Sequence, residues 1–129
     1  MKLPVRDRRP VMDPEKTIRV FFDAVNRHDL DEMEGLFTET AEFYFPKTQP
    51  LMGKKRVLRF FGILFRQYPE LTFRVLMTIN EKDRAAVHWT NKGANRKGDA
   101  YENEGVTILR FENGKISYIS DFFKDTGKF

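Results

Sequence analysis

Cysteine is absent from this chain of 129 residues. Disulfides, thiolate metal centres and cysteine nucleophiles are therefore excluded together. Histidine is nearly as scarce, limited to His28 and His88, which leaves few partners for a serine nucleophile or an imidazole-rich metal site. No apolar run approaches the roughly 20 residues that a membrane-crossing helix needs. The strongest, Phe60 to Phe65, has the spacing of an amphipathic helix, so no membrane partner is expected. The opening Met-Lys-Leu-Pro-Val-Arg-Asp-Arg-Arg-Pro lacks the apolar core of a secretory signal, and the expected location is cytoplasmic. A dominant charge is also missing: 23 basic residues against 19 acidic ones leave a net +4. The densest basic groups, Arg6-Arg8-Arg9 and Lys54-Lys55-Arg56-Arg59, do not interleave with an aromatic RNA-binding signature, and no nucleic-acid partner is expected.

What the chain does hold is a 40% hydrophobic complement with 13 phenylalanines, enough for one core at this length. Residues 1–12, with two prolines and no periodicity, are expected to form a flexible basic arm ahead of a single domain spanning 13–129. Asp13-Pro14-Glu15 has the chemistry of a helix start, and Ile18, Phe21, Phe22 and Val25 follow it as one apolar stripe. Asp29 with Glu32 resembles a capping box opening a second short helix, with Leu30, Met33, Leu36 and Phe37 inward. A short strand is expected over Ala41 to Phe45, a loop through Pro46, Pro50 and Gly53, and a third helix from Lys54 to Tyr68. Strands over 71–79, 84–93, 100–111 and 115–124 follow, joined by turn-forming residues, the last pair by Asn113-Gly114. Helices first and an antiparallel meander afterwards imply an α+β layer fold.

Alternation then sorts the strand side chains. Trp89, Leu109, Phe111, Ile119 and Phe123 share the more apolar face, expected to meet the helices. That face also carries Asn91, Tyr101, Asn103, Thr107 and Asp121. An apolar concavity with a few convergent polar groups is the usual form of a small-molecule site. The opposite face holds Val106, Ile108, Tyr118 and Phe122 beside His88, Glu102, Glu104 and Arg110, a surface apolar enough to suggest a homodimer formed through the outer side of the sheet. His28, at the junction of the first two helices, reads as a helix-end residue, and His88 as an outer-face contact. No set of His, Asp and Glu has ligand spacing, so neither metal nor other cofactor is expected.

Several segments taken in order, Phe21 to Met33 with Leu36-Phe37, Phe43-Tyr-Phe-Pro46 before a Gly53-led helix, Val87-His-Trp-Thr90, and Arg110 to Ile116 with Asp121-Phe-Phe, resemble the nuclear transport factor 2-like superfamily. The resemblance covers residues 14–126 and points to its SnoaL-like polyketide cyclase and ketosteroid isomerase-like branch. It implies a cone: a strongly bent antiparallel sheet closed by three helices from the N-terminal half, a cystatin-like roll around a deep pocket. The positions that carry the acid, the oxyanion-hole tyrosine and the protonated aspartate in ketosteroid isomerases match Phe45, Phe21 and Thr107 here. The three positions that serve the epoxide hydrolases of the superfamily match Trp89, Asn91 and Asp121, and only the last is an acid. The polyketide cyclases rely on a pocket aspartate, and Asp121 is its best match.

Asp121 is therefore the expected general acid/base, with Tyr101 or Asn91 polarising a carbonyl oxygen. Phe21, Phe45, Phe61, Trp89, Asn103, Thr107, Leu109, Ile119 and Phe123 are the expected pocket lining. The activity so implied is that of a cofactor-independent isomerase, cyclase or lyase acting on an apolar polycyclic or aromatic carbonyl compound. The competing reading is a ligand-binding or dimerisation module of the same fold in which Asp121 is merely satisfied by hydrogen bonds.

Overall fold

The computed structural model describes residues 13–128; the expected basic arm lies outside the described residues. Helix α1 runs Pro14–Arg27, α2 Leu30–Glu34 and α3 Lys54–Gln67. The Asp13 carboxylate accepts from the Lys16 amide at 3.1 Å, and Asp29 from the Glu32 amide at 3.0 Å, so both expected caps satisfy donors that a helix start leaves unpaired. Helix α1 ends because His28 turns left-handed, at φ 56° and ψ 38°. Its imidazole then stacks on Phe65 with ring centroids 4.2 Å apart and meets the Leu71 carbonyl at 3.2 Å. The helix-end reading of His28 thus gains a tertiary component, since one ring ties α1 to α3 and to the chain beyond it.

Strands β1 (Phe37–Tyr44), β2 (Leu51–Met52), β3 (Thr72–Glu81), β4 (Arg84–Ala94), β5 (Ala100–Glu112) and β6 (Lys115–Phe123) form one sheet in the order β2-β1-β6-β5-β4-β3. The sheet curves around the helices without closing. It is antiparallel apart from β1, which runs parallel to β6 with Phe37 opposite Ile116 and Phe43 opposite Ile119. Phe37 was expected on the second helix. It belongs instead to the start of β1, because long-range pairing with β6 outweighs the local helical spacing. Strand β2, read as loop in the sequence, is a two-residue strand that pairs only with β1.

The hairpin turn falls at Asn113 and Gly114, with φ of 53° and 78°, the left-handed pair that a two-residue turn demands. A bulge then interrupts the hairpin: Tyr118 faces Arg110, while Phe111 faces Ile116. This lets Ile116 and Ile119 both enter the core, at 0% and 1% exposure, although strict alternation would send them to opposite faces. Asp121 keeps its inward phase because the bulge lies before it.

Gly105 is the closest point of the sheet. A Cβ there would lie 2.7 and 2.8 Å from Trp89 Cη2 and Cζ2 and would also strike the Phe122 carbonyl oxygen. The indole lies where a neighbouring side chain would normally stand. Asn26 fastens the other side of the sheet, donating to the Phe73 carbonyl at 2.9 Å and accepting from the Phe73 amide at 2.7 Å. Replacing Gly105 by Ala should destabilise the fold by about 1–3 kcal/mol or more, the usual cost of overpacking a filled core. Urea unfolding followed by far-ultraviolet circular dichroism would measure it.

Candidate functional site

Phenylalanines at helical and strand spacing enclose the site. Phe43 comes from β1, and the next inward residue, Phe45, lies just past its end. Phe60, Phe61 and Leu64 face them from α3, and Phe73 and Phe123 come from β3 and β6. Phe45 lies 4.8 Å from Phe60 and 5.2 Å from Phe123, ring centre to ring centre, while Phe43 lies 5.1 Å from Phe60. Between them is a cavity of about 270 Å³ to which the sheet contributes the polar side chains of Asn91, Tyr101 and Asp121, and the end of α3 with the loop after β1 those of Gln67, Tyr68, Lys47 and Thr48. Such a volume is at the small end of ligand pockets.

Asp121 stands opposite Thr107. The Thr107 hydroxyl donates to Asp121 Oδ1 at 2.6 Å, and the Thr107 oxygen itself accepts from the Trp89 indole nitrogen at 2.8 Å. Burial against the aromatic wall pushes the carboxyl up to about 7, and the Thr107 hydrogen bond opposes that shift. A carboxyl poised there can both take and return a proton at neutral pH.

Tyr101, half-buried, packs against Tyr68 with ring centres 5.3 Å apart. Burial raises its phenol, while hydrogen bonds from Asn103 and Asn91 pull the other way. The Asn103 amide nitrogen reaches the phenol oxygen at 3.3 Å and the Asp125 carbonyl at 2.8 Å. Asn91 is 5% exposed, and its Oδ1 has no partner, a state that costs about 1–3 kcal/mol. Among the described residues no group of three or more His, Asp or Glu could hold a metal ion, and no helix is long and apolar enough to cross a membrane.

Of the twelve residues expected at the site, Asn91, Tyr101, Asp121, Phe45, Phe61 and Phe123 reach the cavity wall. The other six stand behind it. Phe21 is packed edge-on between Phe22, Phe37 and Phe61, and Leu109 and Ile119 are paired core residues. Trp89 and Thr107 back Asp121, and Asn103 braces Tyr101. Alternation identifies the face of a strand but not the depth at which the core closes over it. Phe43, Phe60, Leu64, Tyr68 and Phe73 were missing from the expected lining. The i, i+4, i+8 series Phe60-Leu64-Tyr68 carried the signal.

A second hollow of about 500 Å³ lies at the β3–β5 side, lined by Arg74, Lys92, Glu102, Glu104 and Lys124 among others. It mixes both signs of charge. Glu104 there is paired with His88 at 2.7 Å, a cross-strand contact that accounts for both residues.

A curved sheet backed by three helices around an apolar pocket is the fold of the nuclear transport factor 2-like superfamily. Within it the chain belongs to the SnoaL-like domain family, which residues 18–119 match. Among solved structures it is similar to a proposed SnoaL-like polyketide cyclase from Jannaschia sp. CCS1, at 21% identity and a TM-score of 0.80 over 92% of this chain and 91% of that one. IdmH, a proposed polyketide cyclase from Streptomyces antibioticus, is 18% identical with a TM-score of 0.79 over 90% and 95% of the two chains. A nuclear transport factor 2-like protein of unknown function from Exiguobacterium sp. 255-15 is 20% identical with a TM-score of 0.77 over 85% and 99%. No curated protein matches.

The raised carboxyl has a measurable consequence for stability. Its folded value of about 7 exceeds the unfolded value of about 3.9, so the folded state holds the proton more tightly between them. That contribution is complete below about pH 4 and is lost as pH rises through about 7. Relative to Asp121→Asn, the parent protein should lose stability between pH 4 and pH 8, by an amount on the order of 4 kcal/mol at most. Paired urea titrations across that range would measure the difference.

Proposed function

We propose that this protein is a cofactor-independent isomerase, cyclase or lyase acting on a small, largely apolar aromatic carbonyl compound. The observation that carries this reading is a lone carboxyl in an aromatic cavity, raised to about 7, with one oxygen held by Thr107. In the proposed step, Asp121 removes a proton from the carbon next to the carbonyl, and the electrons of that C–H bond move onto the carbonyl oxygen. The Tyr101 phenol donates a hydrogen bond to the enolate oxygen so formed. Protonated Asp121 then returns its proton at a second carbon, or to a departing oxygen, and is restored. The Asn91 amide supports Tyr101 in this arrangement rather than facing the enolate. The cavity of about 270 Å³ favours compounds of one or two rings over fused four-ring systems. The likeness to proposed polyketide cyclases agrees with an enolisable aromatic substrate.

A second reading, ligand binding without turnover, draws support from Phe21 and Phe45, which stand where related enzymes carry functional groups. Asp121→Asn separates the two. On the catalytic reading it lowers turnover by about 100-fold or more while a ligand still raises the melting temperature. Unchanged turnover, or a parent protein that binds enolisable ketones without exchanging their α-protons for deuterium, would sink the catalytic reading.

The outer face of the sheet supports a further proposal, a dimer. Met77, Ile79 and Phe122 are 52%, 58% and 58% exposed. Arg110 lies over the Tyr118 ring at 4.6 Å on the same side. Two copies of such a face can pair about a two-fold axis and cover both apolar strips. Sedimentation equilibrium should give a dimer mass for the parent and a monomer mass for an Ile79→Asp, Phe122→Asp double variant.

A further inference from the structure

We propose that Trp89 and Thr107 are positioning residues for Asp121, forming a hydrogen-bond relay across three strands that decides which carboxyl oxygen carries the mobile proton. The proposal deepens the acid/base reading above and rests on it for its catalytic consequence, whereas its geometry stands independently.

The direction of the relay follows from hydrogen-bond chemistry. An indole nitrogen can only donate. At 2.8 Å from Trp89 Nε1, the Thr107 oxygen must therefore accept. A hydroxyl has one proton to give, and the acceptor 2.6 Å away is Asp121 Oδ1. Oδ1 is thus an acceptor when Asp121 is ionised, and in the proposed relay it remains one on protonation, with the titrating proton on Oδ2. The arrangement is stiff because Trp89 and Thr107 are 0% and 3% exposed. Rings close both sides of the indole, Phe73 at 4.9 Å and Phe123 at 5.1 Å, and Gly105 leaves the gap through which it reaches β5.

The relay has two effects on chemistry. It holds the carboxyl in one rotamer, so that the same oxygen meets every substrate. It also moderates the carboxyl, since the Thr107 hydrogen bond works against the rise caused by burial. The other titratable groups on the cavity wall are Tyr101 from β5, Tyr68 at the end of α3 and Lys47 from the loop after β1. The upward shift of Asp121 is caused by burial and is opposed by the Thr107 hydrogen bond.

The chain has a single tryptophan, so one indole ¹H–¹⁵N resonance reports the relay without ambiguity and without any substrate. In the parent that resonance should titrate with a midpoint near 7, and in Asp121→Asn the titration should vanish. Thr107→Val, equal in shape but lacking the hydroxyl, should remove the indole response and move the Asp121 midpoint upward, read from its side-chain ¹³C signal. Thr107→Ser should restore both. Where turnover is measurable, Thr107→Val should lower kcat by about 10- to 100-fold with KM little changed and shift the pH profile upward, and Thr107→Ser should recover most of the loss. Trp89→Phe, which keeps an aromatic ring, gives an independent variant: Thr107 then loses its fixed direction and the carboxyl ¹³C midpoint changes. An indole signal indifferent to Asp121 from pH 4 to 9, or a Thr107→Val midpoint equal to that of the parent, overturns the relay. A relay intact by resonance in a protein without turnover would leave this geometry standing and remove the acid/base reading instead.

Discussion

The structure turns on an indole ring lying across a glycine. Trp89 occupies the space that any side chain at position 105 would need, and from there its nitrogen reaches Thr107 on the next strand. Phe73 and Phe123 pack edge-on against it, so the same ring fills the core and forms the floor behind the cavity. A smaller residue at 89 would leave a void beneath the cavity and an undirected hydroxyl at 107. The fold and the site share this one contact, which makes the site rigid in the way preorganised chemistry requires.

Around that floor, phenylalanines supply two things at once. They supply a large share of the buried apolar core that holds a domain of this size together, and they wall one carboxyl off from bulk water. A desolvated carboxylate costs free energy, and the protein limits the cost by the Thr107 hydrogen bond and by letting the group take up a proton near neutrality. The buried, unpaired oxygen of Asn91 is a second such burden in the same wall. Stability is given up at a place where chemistry can use it. Elsewhere the Thr38 hydroxyl is also buried without a partner, while other polar groups are matched, as with the two-way Asn26–Phe73 pairing and the Arg27 side chain that meets Asp23, Asp29 and Glu32.

Much of the fold was legible in the residues. Asp13-Pro14 and Asp29 announced their helices, Asn113-Gly114 its hairpin, and alternation on β4 and β5 sorted inner from outer positions. These signals are local, set by backbone preference or by a period of two or 3.6. The misreadings came where a distant strand decided the outcome. Phe37 looked helical until paired with Ile116, and Leu51–Met52 is a strand only because β1 lies beside it. The Ile116–Ile119 bulge was likewise invisible, since it answers to the fit between β5 and β6 rather than to any residue preference.

The same division runs through the site. Sequence alone determined that an acid stands at 121 with the phase of Ile119 and Phe123, on a face shared with Asn91 and Tyr101, because side-chain direction in a strand follows from position along it. It also determined that cysteine chemistry is excluded. Only the tertiary structure decided which inward residues meet empty space and which are sealed behind them. Depth depends on how β1 and α3 close over the sheet, and no single segment encodes that distance. For the same reason Thr107, an unremarkable inward polar residue in the chain, became the group that holds the carboxyl. Its partners Trp89 and Asp121 are 18 and 14 residues away, and they meet only because adjacent strands bring them together.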